Sequence, residues 1–331
     1  MNFVAIETSC DETSIALFSD NHLKYHTVYS QIPFHTRYGG VVPEIASRKH
    51  SEEISKIISD AKVKDISAVG FTRGPGLKGS LLIGKIAAHT ISNYFNAKLI
   101  GINHLEGHLL STEIDNDKIV KKLRFPLISL IASGGHSELW YVSGYGRYKL
   151  IGETRDDACG EAFDKVAKVM KLGYPGGPII DKLSRQSVKT ELKFTVPDVM
   201  DSYDYSFSGI KTQVAYYVRN LKKINKKKKI EIASAFEEAI CLSLIKKLEL
   251  AAIKYKVNDV VVCGGVSANS RLRELLLDKF NKIGIRVSLP DKRYTSDNAA
   301  MIGACMLRRF ELGKFKNSVK LDPDLKIGSW I

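Results

Sequence analysis

The sequence predicts an α/β protein built as an internal duplication, with two lobes. Three observations carry this. The chain has 331 residues, more than one simple hydrophobic core accommodates, so two domains or lobes are expected. A strand–polar turn–strand pattern occurs twice, at residues 3–18 and 127–142, and each copy opens a half of the chain. Near the end of the second half, a strand, a glycine turn and a helix start follow one another, the arrangement with which an open sheet receives a nucleotide. Two ordinary hairpins are the alternative to a duplication. Two facing lobes, each offering such a hairpin, would close on a nucleotide-like ligand in the cleft between them. The expected division places residues 1–110 and 298–331 in an N-terminal lobe and 111–297 in a C-terminal lobe.

In chain order, Phe3-Val4-Ala5-Ile6 and Ile15-Ala16-Leu17-Phe18 read as short strands around Glu7-Thr8-Ser9-Cys10-Asp11-Glu12-Thr13-Ser14. A turn so rich in hydroxyls and carboxylates can cradle phosphate while a carboxylate holds a cation or orients water, although such residues are common in any turn. A helix follows from near Ala46 to Ala61, with Ile54, Ile57, Ile58 and Ala61 at helical spacing. Strand Val69–Thr72 runs into Arg73-Gly74-Pro75-Gly76-Leu77-Lys78-Gly79-Ser80, a loop whose glycines permit close backbone approach. A helix near Leu81–Phe95 and a strand from Lys98 to Ile102 come next. In the second half, strands Leu127–Ala132 and Glu138–Val142 flank Ser133-Gly134-Gly135-His136-Ser137. Asp156-Asp157-Ala158-Cys159-Gly160-Glu161-Ala162-Phe163-Asp164-Lys165 leads into a helix ending near Leu172. Its neighbour is the loop Gly173-Tyr174-Pro175-Gly176-Gly177-Pro178, with another helix from Ile179. A carboxylate on such a helix suits ribose hydroxyls, or caps the loop. Residues 192–212 read as a loop that enters a helix. In the long helix from near Ile230 to Lys256, Phe236, Ile240, Leu244, Leu248 and Ala252 form a core stripe, which is packing and not a site. Strand Asp259–Cys263 leads through Gly264-Gly265-Val266-Ser267-Ala268-Asn269 into a helix from Ser270 to Phe280. The last helix starts at Asp297-Asn298-Ala299-Ala300-Met301 and runs to near Leu312.

No apolar run reaches membrane-span length, and no basic region followed by an apolar stretch opens the chain, so a cytoplasmic protein is expected and a membrane partner is not. The five cysteines (Cys10, Cys159, Cys241, Cys263 and Cys305) form no CxxC pair and read as reduced thiols. The net charge of +14 points to a polyanionic partner, for a cytoplasmic protein nucleic acid. A lysine-rich solvated surface would give the same total. Seven of the eleven residues from Arg219 to Lys229 are basic and none is acidic, a pattern usual for a mobile surface segment.

The sharpest local signal is Asn103-His104-Leu105-Glu106-Gly107-His108. If Asn103 caps a helix, His104 and His108 lie on one face, where two neutral imidazoles can share a metal ion. They can equally be core or solvated histidines. Asp297 reads as a helix cap and also as a candidate third ligand.

Taken together and in this order, these fragments resemble one family, the tRNA threonylcarbamoyladenosine transferases of the bacterial TsaD branch, formerly called O-sialoglycoprotein endopeptidases. The resemblance extends from Ile6-Glu7-Thr8-Ser9-Cys10-Asp11-Glu12-Thr13 through the Arg73–Leu77, Asn103–His108, Ser133–His136, Gly160–Lys165, Tyr174–Pro178, Ser206–Gly209 and Cys263–Asn269 motifs to Asp297–Met301. The family pattern has lysine at the His89 position and proline at the Lys98 position. The resemblance implies the duplicated actin/hexokinase-like (ASKHA) fold. It implies one divalent metal ion, Fe2+ before Zn2+, held by His104, His108 and Asp297. It also implies that threonylcarbamoyl-adenylate, or an ATP- or ADP-like ligand, meets Ile131, Ala132, Ser133, Gly134, Gly135, Asp164, Gly177, Asp181 and Asn269. Transfer would go to N6 of the adenosine 3′ of the anticodon in tRNAs reading ANN codons. The implied partners are tRNA, the inactive paralogue TsaB, the small ATPase TsaE and, functionally, the synthase that makes the adenylate.

The implied reaction is a carbamoyl-type acyl transfer. A mixed anhydride is already activated and adenine N6 is a poor nucleophile, so orientation and stabilisation of developing charge should dominate. Asp11, with Glu7, is the candidate base or substrate-orienting group. One rival is an ATP-dependent small-molecule kinase of the same fold, disfavoured by the histidine pair because kinases hold magnesium through oxygen. A metallopeptidase needs HExxH, whereas Leu105 follows His104 and Glu106 is rotated by roughly 200° from it. A non-enzymatic scaffold is the third.

Overall fold

The computed structural model describes residues 1–331 except 121, 187–189, 222, 315–319 and 329–331. Two compact units emerge. The first comprises residues 1–123, 145–148 and 290–331, and the second 124–144 and 149–289. Residues 111–123 and 290–297, expected in the C-terminal lobe, thus belong to the first unit. The Arg308 guanidinium bonds the buried Glu113 at 2.8 Å, and Tyr294 Oη donates to Asp117 at 2.5 Å, tying both segments to that unit.

The first unit contains β1 (Asn2–Glu7), β2 (Glu12–Ser19), β3 (His22–Ser30), α1 (Ile32–His35), α2 (Pro43–Asp60), β4 (Ile66–Gly74), α3 (Lys78–Phe95), β5 (Lys98–Asn103), α4 (His104–Leu110), β6 (Ile114–Asp115) and β7 (Lys118–Ile119). The second is built on β8 (Leu127–Ala132), β9 (Ser137–Gly144), β10 (Arg147–Glu153), α5 (Cys159–Val169), α6 (Gly176–Ser184), α7 (Ser208–Arg219), α8 (Lys226–Lys254), β11 (Asp259–Cys263), α9 (Ser270–Lys282) and β12 (Arg286–Ser288). The chain then returns to the first unit as α10 (Ala299–Glu311).

The strand orders are β5-β4-β1-β2-β3-β7-β6 and β10-β9-β8-β11-β12. Five strands of each sheet repeat one scheme. β1 pairs antiparallel with β2 and parallel with β4, and β4 pairs parallel with β5. In the same way β8 pairs antiparallel with β9 and parallel with β11, and β11 pairs parallel with β12. The repeated polar hairpins therefore sit at equivalent places in two like-ordered sheets, as a duplication requires. The central strands read as near-continuous apolar runs because both faces are covered: every residue of β8 and β11 is buried.

One core joins Val4, Ile6, Ile15 and Phe71 of the first sheet to Ile54 and Ile57 of α2 and Ala88 and Ile91 of α3. The other joins Ile128, Leu130 and Leu139 to Phe163 of α5 and to α8, where the stripe Phe236, Ile240, Leu244, Leu248 and Ala252 is fully buried.

The structure extends and corrects several sequence expectations. α2 and α3 start at Pro43 and Lys78, a turn earlier than the apolar spacing marks, because the first turn of a helix need not face the core. β3, β10 and β12 were not anticipated. β3 alternates Leu23, Tyr25, Thr27 and Tyr29 but none of these is fully buried, so its hydrophobic contrast is low. Lys226–Lys229 form the first turn of α8, capped by Asn225, so that part of the basic run is ordered helix; Lys222 lies outside the described residues. Finally, the side chain capping α10 is that of Asn298, which accepts from Met301 N at 3.0 Å, and not that of Asp297.

α10 packs on β1, β2 and α4 and so supports the elements that carry the histidines. Gly303 makes this close packing possible: a Cβ there would overlap the ring of Phe18, itself only 1% exposed. Gly303→Ala overpacks this contact and is expected to cost about 1–3 kcal/mol, seen as a lower denaturant midpoint at unchanged slope.

Candidate metal centre and glycine-loop site

In the first unit, β5 delivers the chain to Asn103, whose side-chain oxygen accepts from Leu105 N at 2.9 Å and Glu106 N at 3.1 Å. This cap starts α4 at His104, and the four-residue spacing stacks His104 and His108 with ring centroids 4.7 Å apart and planes at 80°. Asp297, freed of capping by Asn298, places Oδ1 3.4 Å from His104 Nε2 and 3.2 Å from His108 Nε2. One ligand atom from each of the three residues falls within 4.8 Å of the others. This is the only such group of three among the described residues.

The far side of His104 is held by Glu7. Glu7 Oε2 lies 3.1 Å from His104 Nδ1 and accepts from Thr72 Oγ1 at 2.5 Å. Its Oε1 accepts from Ser9 N at 2.5 Å. With Nδ1 turned to Glu7, Nε2 is directed at Asp297, the arrangement by which a carboxylate fixes the tautomer and ring of a metal-binding histidine. Glu7 is fully buried and its oxygens are engaged by these partners. These contacts tie Glu7, expected beside Asp11 as a base or substrate-orienting group, to His104, Thr72 and Ser9.

The closeness of the three residues sets their charges. Burial alone would raise Asp297, but the adjacent His104 and then His108 outweigh it and hold the carboxyl well below its usual range. Burial would lower His104, yet Asp297 and Glu7 on either side push it well above the ordinary imidazole value. Burial and the neighbouring His104 keep His108 low, hence neutral. Both ring nitrogens of His108 are buried; Nδ1 has no hydrogen-bond partner among the described residues, and Nε2 has only the Asp297 carboxylate 3.2 Å away, without a well-formed hydrogen bond to it. A polar group so left is costly, and a cation at the three-residue cluster would satisfy Nε2. The donor set, two imidazoles and a carboxylate, fits a divalent transition metal.

Asp11 is 8% exposed and lies on the same turn. Its neighbour Glu12 is pushed well above the usual carboxyl range by burial, then by the charges of Asp11 and Asp297. The turn is pinned from outside by His50 of α2, whose Nδ1 lies 2.7 Å from Thr13 Oγ1 and whose Nε2 lies 3.0 Å from Cys10 O. Gly76 closes over it: at φ +150° its Cβ position would be 2.6 Å from Ser9 O, and Leu77 N donates to that oxygen at 2.8 Å. Ser9, Thr72 and His50 were missed from the sequence. Ser9 lay within a quoted motif, whereas Thr72 and His50 left no local signal.

Leu105 is 2% exposed, and Glu106 is fully buried, accepting from Tyr148 Oη at 2.6 Å and pairing with Arg309 at 2.5 Å. Neither can attend a metal-bound water, which removes the zincin arrangement.

In the second unit, the segment Ile131–Gly135 leaves β8 at its C-terminal end. Ile131 and Ala132 are fully buried. Ser133 N donates to His136 O at 2.8 Å, closing the turn, and the Cβ positions of Gly134, Gly135, Gly177 and Gly265 meet open space. Gly264 (φ +85°) brings the β11 exit loop onto β8, its Cβ position 2.5 Å from Ala132 O. Asp164 Oδ1 accepts from Gly176 N at 2.6 Å and so fixes the loop before α6. Asp181 Oδ1 accepts from Ser270 N at 3.0 Å, joining α6 to the start of α9. Asn269 caps α9 through Leu272 N at 2.8 Å, while its amide donates to the buried Glu237 at 2.6 Å. Glu237 was not anticipated. Burial, more than any neighbour, raises its carboxyl. The structure thus gathers the predicted residues of this unit around the C-terminal ends of β8 and β11 and the starts of α6 and α9.

Comparison with known proteins places this geometry. A family model described as "TsaD: tRNA N6-adenosine threonylcarbamoyltransferase" matches residues 22–304. A tRNA N6-adenosine threonylcarbamoyltransferase of Endomicrobium trichonymphae is 43% identical over 344 aligned positions, covering 100% of this chain and 99% of that one. That of Thermodesulfovibrio yellowstonii is 43% identical, covering 96% and 97%. Among solved structures, full-length HypF in its phosphate- and nucleotide-bound form has a TM-score of 0.60 at 13% identity, with 94% of this chain spanning 46% of that one. The activator of 2-hydroxyisocaproyl-CoA dehydratase from Clostridium difficile, with bound ADPNP, has a TM-score of 0.51 at 14% identity, covering 96% and 99%. At such identities the likeness is one of fold, and it is the duplicated actin/hexokinase-like fold. No helix of the described residues is long and apolar enough to cross a membrane. Full-length similarity at this level, over the segments that carry the site, shows that the chain belongs to the tRNA N6-adenosine threonylcarbamoyltransferase (TsaD) family.

Proposed function

We propose that this enzyme transfers the threonylcarbamoyl group of threonylcarbamoyl-adenylate to N6 of the adenosine 3′ of the anticodon in tRNAs reading ANN codons. Family membership across residues 22–304 carries this reading, and the convergence of His104, His108 and Asp297 supports it locally. Those three residues would hold one divalent ion. A two-histidine, one-carboxylate set suits iron(II), and zinc accepts the same donors. The bound ion would supply Lewis-acid stabilisation of negative charge developing on the acyl carbonyl.

The chain's own residues do the rest. Glu7 holds the His104 ring in register. The Ser133–Gly135 turn and the Gly177 and Gly265 backbones offer bare surface to the adenylate, and Asp181 and Asn269 brace the helix starts that face it. Asp11 is the candidate for orienting the attacking amine or taking its proton. The enzyme would work with TsaB and TsaE and receive its adenylate from a separate synthase, in the cytoplasm.

Two outcomes are expected. With the partner proteins, the synthase, labelled threonine, bicarbonate, ATP and an unmodified ANN-decoding tRNA, label enters the tRNA, and His104→Ala lowers its transfer at least about 100-fold. Equal labelling by the variant would sink the metal-assisted reading, and no labelling by the wild type would sink the transferase reading. Glu7→Gln, isosteric and still buried, should weaken metal binding about 10–100-fold in a direct metal titration with the fold retained by circular dichroism. Unchanged affinity would remove the positioning role.

A further inference from the structure

The run from Arg219 to Lys229 contributes seven of the chain's net +14 charges, and within the second unit it is organised by secondary structure. α7 ends at Arg219 and α8 begins at Lys226, with the Asn225 side chain capping Lys228 N at 2.9 Å. The first turn of α8 is four successive lysines with no acidic residue. Cations at a helix N-terminus oppose the macrodipole, and adjacent like charges repel. Of the four, Lys228 is paired, with Glu231 at 2.6 Å. Lys229 Nζ reaches the carbonyl of Lys171 at 3.4 Å, which brings the end of α5 against the start of α8. Among the described residues, no carboxylate pairs with Lys171, Arg219, Lys223, Lys226, Lys227 or Lys229. Tyr216, three residues before Arg219 on the same helix, is 70% exposed.

Folding stability alone would favour acids at this place. A sequence that breaks the local rule with a carboxylate partner for only one of these four lysines points to an external partner for the others. Its charge density calls for a polyanion. Its exposed large apolar side chains are Tyr216 and Val169, too few for the hydrophobic face with which an amphipathic surface enters a bilayer. An extended set of cations with an exposed aromatic suits a ribose–phosphate backbone.

We infer that the surface formed by the ends of α5 and α7 and the first turn of α8 binds the phosphate backbone of the tRNA substrate. This rests on the transferase reading above and adds a phosphate-contact surface to it. The contacts are electrostatic and insensitive to sequence, and they raise affinity without touching the reacting groups.

The test is the triple variant Lys226→Gln, Lys227→Gln, Lys229→Gln in the full chain, since glutamine keeps helix propensity. Binding of unmodified tRNA is measured by anisotropy across about 50–200 mM salt, where each lost phosphate contact lowers the slope of log K against log salt by about 0.7–0.9. The slope should fall by about 2–3, with affinity about 10-fold weaker near 100 mM salt. At saturating tRNA, kcat should be unchanged and KM for tRNA raised. The Tm should rise, because removing cations from the helix start relieves the dipole conflict, so weakened binding could not be ascribed to unfolding. A wild-type slope and KM in the variant would overturn the inference. So would retained tRNA binding with loss of binding to anionic phospholipid vesicles, which would assign the surface to a membrane. Failure of the wild type itself to label tRNA would instead overturn the transferase reading, because the binding measurement stands apart from turnover.

Discussion

His104 is gripped by two carboxylates, and much of the first unit is arranged to make that possible. Glu7 comes from the end of β1, Thr72 from β4, the imidazole from the first residue of α4, and Asp297 from the loop before α10. A fully buried carboxylate deprived of its partner costs about 3–5 kcal/mol. Glu7 is kept ionised by the imidazole and by the Ser9 and Thr72 donors. The same bond fixes which nitrogen of His104 faces Asp297. One interaction therefore serves stability and ligand geometry together, and the elements that converge on it cannot shift independently.

Asparagine caps set the positions of the chemical groups. Asn103, Asn225, Asn269 and Asn298 each accept from backbone N–H groups at the start of a helix. Asn103 makes His104 the first residue of α4, so the next residue on its face is His108. Asn269 fixes α9 and still has an amide proton for Glu237. Asn298 caps α10 and leaves the preceding carboxylate free to turn toward the imidazoles. Had Asp297 been the cap, its oxygens would have been engaged by helix N–H groups instead.

Local patterns made much of this legible. The two hairpins, the helix spacing of the histidines and the stripe of α8 are short-range regularities, and the structure contains each of them. β3 and β10 escaped notice because their alternation is weak on half-exposed strands, where side-chain burial gives little contrast. Thr72 and His50 escaped for a different reason. Thr72 acts through one hydrogen bond and His50 through two, each across more than thirty residues of sequence, and no spacing rule reaches that far. Glu7 stood within a recognised motif, but its complete burial and its contacts with His104, Thr72 and Ser9 left no local signal. Asp297 reads as the helix cap by residue type, but asparagine is as good a cap, and it is Asn298 that accepts from Met301 N.

The duplication then explains why the two hairpin turns differ. Both follow the first strand of a five-strand scheme shared by the two sheets. In the first turn the polar groups are used internally: Ser9 N on Glu7, Ser9 Oγ beside His104, Thr13 and the Cys10 carbonyl on His50, and the Ser9 carbonyl on Leu77. In the second, Gly134 and Gly135 carry no side chains and face open space, while Ser133 holds the turn closed through His136 and, by its carbonyl, Gly160. A side chain at Gly160 would meet that carbonyl at 2.6 Å, so the glycine keeps the helix start close against the turn. The same topology thus yields a rigid scaffold beside the His104, His108 and Asp297 cluster in one unit and an open backbone surface in the other. Which of the two a hairpin becomes is decided by whether its turn residues have side chains to spend on the protein itself.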